Sequence, residues 1–158
     1  MSVQPTLHSE EIPSVEKLDA SDCWSLLGEA SIGRLAVRTT DSVDIFPVNF
    51  VAHDGAIFIR SAPGSKLVDI TRAAAVAFEI DGSGRLDHWS VVAHGRAERM
   101  SSDLEIEASG VLGLHTMTSS AKWNYIRISV DSITGRRFEI AALAPDTQLA
   151  RPLTTFER

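Results

Sequence analysis

Cysteine is almost absent from this chain: Cys23 is the only one in 158 residues. A single thiol excludes an intramolecular disulfide framework, cannot complete a zinc tetrad, and fits a reducing cytoplasm. Long apolar runs are also missing. No stretch approaches the roughly 18 consecutive apolar residues that a membrane-spanning helix requires. The first residues show no basic segment leading into an apolar one, so neither export nor membrane insertion is expected. Positive charge is in the minority, with 15 Lys and Arg against 21 Asp and Glu and a net charge of −6. A general nucleic-acid surface is therefore not expected, and any basic cluster has to be local.

The familiar catalytic signatures are missing as well. The 5 histidines show neither His-x-His nor His-Glu-x-x-His spacing, so no metal site is expected. There is no Gly-x-Ser-x-Gly elbow, and no Gly-x-Gly-x-x-Gly opens a helix. Ser119-Ser120-Ala121-Lys122 matches Ser-x-x-Lys, but neither Ser-Asp-Asn nor Lys-Thr-Gly accompanies it, which makes it a chance match. No side chain stands out as a catalytic acid, base or nucleophile. Aromatic residues make up only 6% of the chain. Core or interface packing is the commoner role for Trp24, Trp89 and Trp123.

What is present is an ordinary globular composition, 44% hydrophobic, in a chain long enough for one domain. Residues 1–14 are polar, aperiodic and interrupted by Pro5 and Pro13, and read as a mobile arm; residues 15–140 form the domain, and residues 141–158 a tail. A short helix capped by Asp19 or Ser21 carries Cys23, Trp24 and Leu27 on one face. Leu35 and Val37 alternate with Arg34, Ala36 and Arg38 in a strand. After a polar turn at Thr40-Asp41-Ser42, residues 43–51 form a strand apolar on both faces, which predicts cover on both sides. Pro47 must then sit where no ladder N–H is needed, leaving nearby backbone groups free for a ligand.

His53-Asp54-Gly55 reads as a tight hairpin turn into a strand over residues 56–60. Further strands are expected at 75–80, ending at Gly82-Ser83-Gly84, at 88–99 with a bulge or close approach at Gly95, at 123–130, and after a short turn at 134–140. Ser102-x-x-Glu105 is a capping box that opens another helix. The pattern as a whole is mainly β, a six- to seven-stranded antiparallel barrel with short peripheral helices.

One stretch carries a binding hypothesis. In residues 57–70 a strand meets Pro63-Gly64 and opens into a helix with Ser65 at its N-cap. The unpaired N–H groups of a helix start, the hydroxyls of Ser61 and Ser65, and the charges of Arg60 and Lys66 would suit a terminal phosphate. The same residues also fit a plain strand-to-helix loop whose Lys and Arg face water.

The order GRLAV, IFPVNFV, IFIRSAPGSKL, AVAFEIDG, WSVVAHGRAE, ITGRRF over residues 18–138 resembles the pyridoxamine 5′-phosphate oxidase-like flavin-binding proteins. The resemblance implies a split β-barrel and a homodimer with FMN at its interface. Ser65 and Lys66 occupy the positions of the family's phosphate-gripping pair, and Arg60 and Ser61 match the end of the preceding strand. Phe46, Pro47, Val48 and Asn49 match the strand whose main chain lies along the isoalloxazine ring. Asn49 stands where true pyridoxamine phosphate oxidases have Lys. Trp89 and Ser90 match the strand start that approaches the ring, and Arg137 belongs to a turn that approaches the flavin of the other subunit. The oxidases' Arg-x-His motif corresponds to Gly135-Arg136-Arg137-Phe138, which has no His, so vitamin B6 oxidation is not implied. The resemblance points to a flavin-dependent oxidoreductase acting on a small molecule, with a deazaflavin reductase or a non-catalytic flavin- or haem-binding module as alternatives, and the composition to a cytoplasmic setting.

Overall fold

A computed structural model of the chain describes residues 15–62, 74–114 and 123–139. The elements are β1 (Val15–Leu18), α1 (Ala20–Glu29), β2 (Ile32–Arg38), β3 (Val43–His53), β4 (Ala56–Ser61), β5 (Ala74–Ser83), β6 (Asp87–Arg99), α2 (Asp103–Ala108), a 3₁₀ turn (Val111–Gly113) and β7 (Asn124–Glu139). The strands form one sheet in the order β1-β7-β4-β3-β2-β5-β6, and β6 also pairs with β7. That last pairing closes a ring of antiparallel strands, the split β-barrel that the pattern and the resemblance predict. Among the described residues no helix is long and apolar enough to cross a membrane.

Period-two alternation fills the barrel. Leu35 and Val37 of β2, Phe50 of β3, Ile57 and Ile59 of β4, Val76, Phe78 and Ile80 of β5, Val91 and Ala93 of β6, and Ile126 and Ile128 of β7 are all buried in one cluster. Phe50 and Phe78 meet edge to face with centroids 4.8 Å apart. Space for Phe78 comes from Gly33, where a Cβ would lie 2.2 Å from the ring. α1 closes one end. Asp19 caps it, its side chain accepting from the Asp22 N–H at 2.9 Å. Cys23 and Leu27 reach the core, and burial pushes the Cys23 thiol up from its ordinary pKa. Ser102 caps α2 by accepting from the Glu105 N–H, the first half of the predicted capping box, while the Glu105 carboxylate pairs with Arg127.

Three local expectations change. β1 does not appear in the sequence reading, because its four residues include one buried side chain, Leu18, and give no alternation to detect. Gly82 does not end β5; the strand runs to Ser83, with the Trp89 indole laid where a Gly82 side chain would go. The turn expected between residues 130 and 134 is absent, and β7 runs unbroken for 16 residues. His94 faces Ser132 while Gly95 faces Val130, so Asp131 is one extra residue in β7. The turn-like Asp131-Ser132 pair is thus a bulge, opposite the glycine that the sequence marked. The arm, the tail and residues 63–73 and 115–122 lie outside the described residues.

A methyl at Gly95 would sit 2.1 Å from the Ser129 carbonyl oxygen, which belongs to the backbone and cannot swing aside. Gly95→Ala is expected to lose about 2 kcal/mol or more of stability, as overpacked cores do. Gly28 in α1 has nothing within 4 Å of its would-be Cβ, so Gly28→Ala is expected to gain up to about 1 kcal/mol from helix propensity. Urea unfolding checks both, and a Gly95→Ala protein as stable as the parent would contradict the close approach.

Candidate binding site at the split of the barrel

β3 and β4 pair only from Phe50↔Ile59 to His53↔Ala56. Beyond that point β4 stays with β7 as far as Ser61↔Asn124, while the first part of β3 stays with β2. The strands part and leave a notch, and one backbone edge of residues 43–48 has no neighbouring strand among the described residues. Pro47 falls on this stretch, where a missing N–H costs no bond to a second strand.

Alternation divides the β3 residues. Phe46 and Val48 point inward and pack half-buried on the core, while Pro47 and Asn49 are exposed on the outer face. Ser61 is buried on the inner side of β4. Extending the Phe50↔Ile59 register by two residues brings Val48 level with Ser61 across the notch. The structure therefore gathers Phe46, Val48 and Ser61 inside the notch, with Pro47 and Asn49 on its outer lip.

Arg60 goes elsewhere. As the neighbour of Ser61 on a strand it faces the opposite side, with its guanidinium 4.1 Å from the Trp123 ring centroid. Its Nη1 donates to the carbonyls of Leu112 at 3.4 Å and Leu114 at 3.3 Å, and its Nε is buried with no hydrogen-bond partner among the described residues. Arg60 thus fastens the 3₁₀ turn to β4 and does not share a volume with Ser61. Ser65 and Lys66 lie outside the described residues.

The β6–β7 ribbon holds the rest. Trp89 faces Arg137 across the strands, and β1 brings Glu16 against the other side of Arg137. Arg137 Nη1 donates to Glu16 Oε2 at 3.2 Å, and its Nε lies 3.1 Å from Asp87 Oδ2, at ion-pair distance but without hydrogen-bond alignment. Ser90 faces the opposite side from Trp89, toward Arg136. There a cleft of about 370 Å³ is lined by Ser90, Val92, Thr134, Gly135, Arg136 and Phe138. Among the described residues Arg136 has no carboxylate within ion-pair distance. Of the two arginines, Arg137 has two carboxylates beside it and Arg136 faces the cleft with two hydroxyls. Strand parity was the signal available, since Arg136 pairs with Ser90 and Arg137 with Trp89.

Within one chain β4, which borders the notch, pairs with Asn124–Ser129 of β7, whereas Trp89 and Ser90 pair with Arg137 and Arg136 farther along that strand. The notch offers an open backbone edge over an apolar floor, suited to a flat polar ring. The cleft offers one guanidinium and hydroxyls, suited to an anion. Among the described residues no three His, Cys, Asp or Glu side chains gather where they could hold a metal.

Residues 19–137 match the model of the family described as pyridoxamine 5′-phosphate oxidase. Among solved structures, the FAD binding protein from Mycobacterium smegmatis is 32% identical with a TM-score of 0.72, the match covering 80% of this chain and 100% of that one. An FAD-binding protein from Mesorhizobium loti is 27% identical with a TM-score of 0.71, covering 80% and 98%. An uncharacterized protein of Mycobacterium tuberculosis is 32% identical over 82 residues, 52% of this chain and 74% of that protein.

The contrast between the two arginines is measurable without a ligand. Arg137→Ala leaves Glu16 and Asp87 without their shared cation and is expected to lower stability by about 1 kcal/mol, the scale of partly exposed pairs. Arg136→Ala is expected to stay within about 0.5 kcal/mol of the parent. Urea unfolding of both variants checks this, and the reverse order would contradict the pairing described.

Proposed function

Because the chain belongs to the pyridoxamine 5′-phosphate oxidase family, we propose that it is a flavin-binding oxidoreductase in which two copies enclose the cofactor at their interface. The observation that carries this reading is the notch. Its open backbone edge along residues 43–48, with Phe46 and Val48 beneath and Ser61 opposite, fits the hydrogen-bonding rim and flat face of an isoalloxazine ring. Two similar structures are FAD-binding proteins by name, while the sequence resemblance implies FMN. Both nucleotides share the ring, the ribityl chain and the first phosphate, so the Ser65-Lys66 corner serves either.

In this reading Phe46, Pro47, Val48 and Asn49 hold the ring and Ser61 lines the ribityl chain. Ser65 and Lys66 take the phosphate, while Arg60 braces the 3₁₀ turn through the Leu112 and Leu114 carbonyls. By the resemblance Trp89, Ser90 and Arg137 come from the second copy, Trp89 and Arg137 from one face of the ribbon and Ser90 from the other. When bound, the flavin supplies hydride or electron transfer; the chain orients it and keeps water from its face. The substrate is a small molecule.

The homodimer draws support from the outer face of β3 and β2. Val43, Ile45 and Ile32 are each 64% exposed there, on the same face as Pro47. A sheet face with this much exposed aliphatic surface is usual for an interface and unusual for a free monomer. It also answers the apolar pattern of β3, whose outer face has no cover within the described chain. A single buried thiol agrees with a cytoplasmic setting.

Purified protein is expected to be yellow, and the mass of the extracted compound separates FMN, FAD and a deazaflavin. Lys66→Ala should weaken flavin binding at least about tenfold, the loss of one charge-assisted contact. A colourless protein that takes up neither FMN nor FAD at micromolar concentration would overturn the reading. Ile45→Asp is expected to convert a dimer to monomers in sedimentation velocity, and a parent that sediments as a monomer would remove the shared site.

A further inference from the structure

The outer face of β4 lies under a cap formed by α2 and the 3₁₀ turn. Phe58, Met100 and Val111 make its buried cluster, with Ile106, Leu114 and Tyr125 packed around them. One end of the cap is held by Arg60 through the carbonyls of Leu112 and Leu114. The other end is held by His53. Its Nδ1 is 3.0 Å from Asp54 Oδ2, its Nε2 is 2.9 Å from the Ser109 carbonyl oxygen, and its ring stacks on Phe58 with centroids 4.9 Å apart.

Both polar partners of this ring can only accept. A neutral imidazole has one N–H, so it serves one partner and turns a lone pair toward the other; the imidazolium donates to both. We propose that His53 is a proton-controlled latch, which when charged fastens the cap to the β3–β4 hairpin and when neutral lets go of one side.

Local structure sets the latch. Asp54 and Gly55 both have positive φ, 51° and 74°, forming the tight turn that keeps the Asp54 carboxylate beside the ring. Ser109 is 3% exposed and joins the parts of the cap. Its hydroxyl donates to the Ile106 carbonyl at 2.7 Å and accepts from the Val111 N–H at 3.2 Å, so a pull on its carbonyl reaches both α2 and the 3₁₀ turn. Asp54 is the charged group acting on the ring; α2 offers a carbonyl and β4 the uncharged Phe58. The Ser109 bond first, and then Asp54, raise the His53 pKa above its ordinary 6.5 against a smaller opposing effect of burial.

A raised folded-state pKa fixes the sign. The stabilisation is complete below the ordinary value and disappears as pH rises through the raised one. The cap is therefore tight in mild acid and looser toward alkaline pH. Loosening it frees the carbonyls that hold Arg60 and uncovers the strand that carries Ser61 to the notch. This inference stands on the hydrogen-bond geometry and does not depend on which cofactor the notch takes.

NMR titration of the full chain should place the His53 pKa above 6.5. Hydrogen exchange at the Val111, Gly113 and Leu114 amides, corrected for the intrinsic rate at each pH, should accelerate across that titration by about tenfold for each unit of elevation. His53→Gln should flatten this pH dependence. Asp54→Asn keeps a residue that tolerates positive φ but removes the charge, and should move the transition to lower pH. A His53 pKa at or below the ordinary value, or unchanged cap exchange in His53→Gln, would overturn the latch; an unmoved transition in Asp54→Asn would do the same.

Discussion

Hydrogen bonding along β7 sets both the closure and the opening of this barrel. Its 16 residues pair with β4 through their first part, with β6 along most of their length, and with β1 near their end. Closing the ring in this way removes most sheet edges, which are the usual route to aggregation. It also draws β4 toward β7 and away from the first half of β3. One strand edge is left without a neighbour at that place among the described residues, and it is where the candidate site lies. The notch is a consequence of how the ring is tied, and it needs no special loop to create it.

Charge is distributed with a similar economy. In a chain with more carboxylates than cations, four of the nine described arginines are engaged. Arg34 meets Glu79 and Asp81, Arg127 meets Glu98 and Glu105, and Arg137 meets Glu16 and Asp87. Arg60 is held by carbonyls and an indole. Arg38, Arg85, Arg96, Arg99 and Arg136 make no ion pair among the described residues; the cleft lined by Arg136 has no carboxylate in its lining, whereas the one lined by Arg99 holds Glu98 and Glu105. Local availability, more than the count of basic residues, decides where negative charge can bind.

Much of this architecture could be read from residue order because its signals are local. Asp19, the Ser102 cap, the Asp54-Gly55 turn and the alternation in β2 each act within a few residues and appear as expected. The misses come from non-local effects. Asp131 and Ser132 have turn chemistry, but thirteen residues of β6 opposite them hold β7 straight. β1 exists because β7 offers an edge and not because Val15-Glu16-Lys17-Leu18 favours a strand. In the candidate site strand parity sets chain neighbours on opposite faces, Arg60 from Ser61 and Trp89 from Ser90. Ser65 and Lys66 fall outside the described residues.

The fit of Phe78 into the space over Gly33 makes the two positions one packing unit shared by adjacent strands. A methyl at residue 33 needs a shorter side chain at residue 78, and a shorter side chain there takes away the edge that Phe50 rests on. Volume at the centre of this barrel can thus be exchanged among these three sites but not altered at one alone. A redesign of the interior would have to change them together, and a single replacement would be expected to reach β3, and through it the floor of the notch.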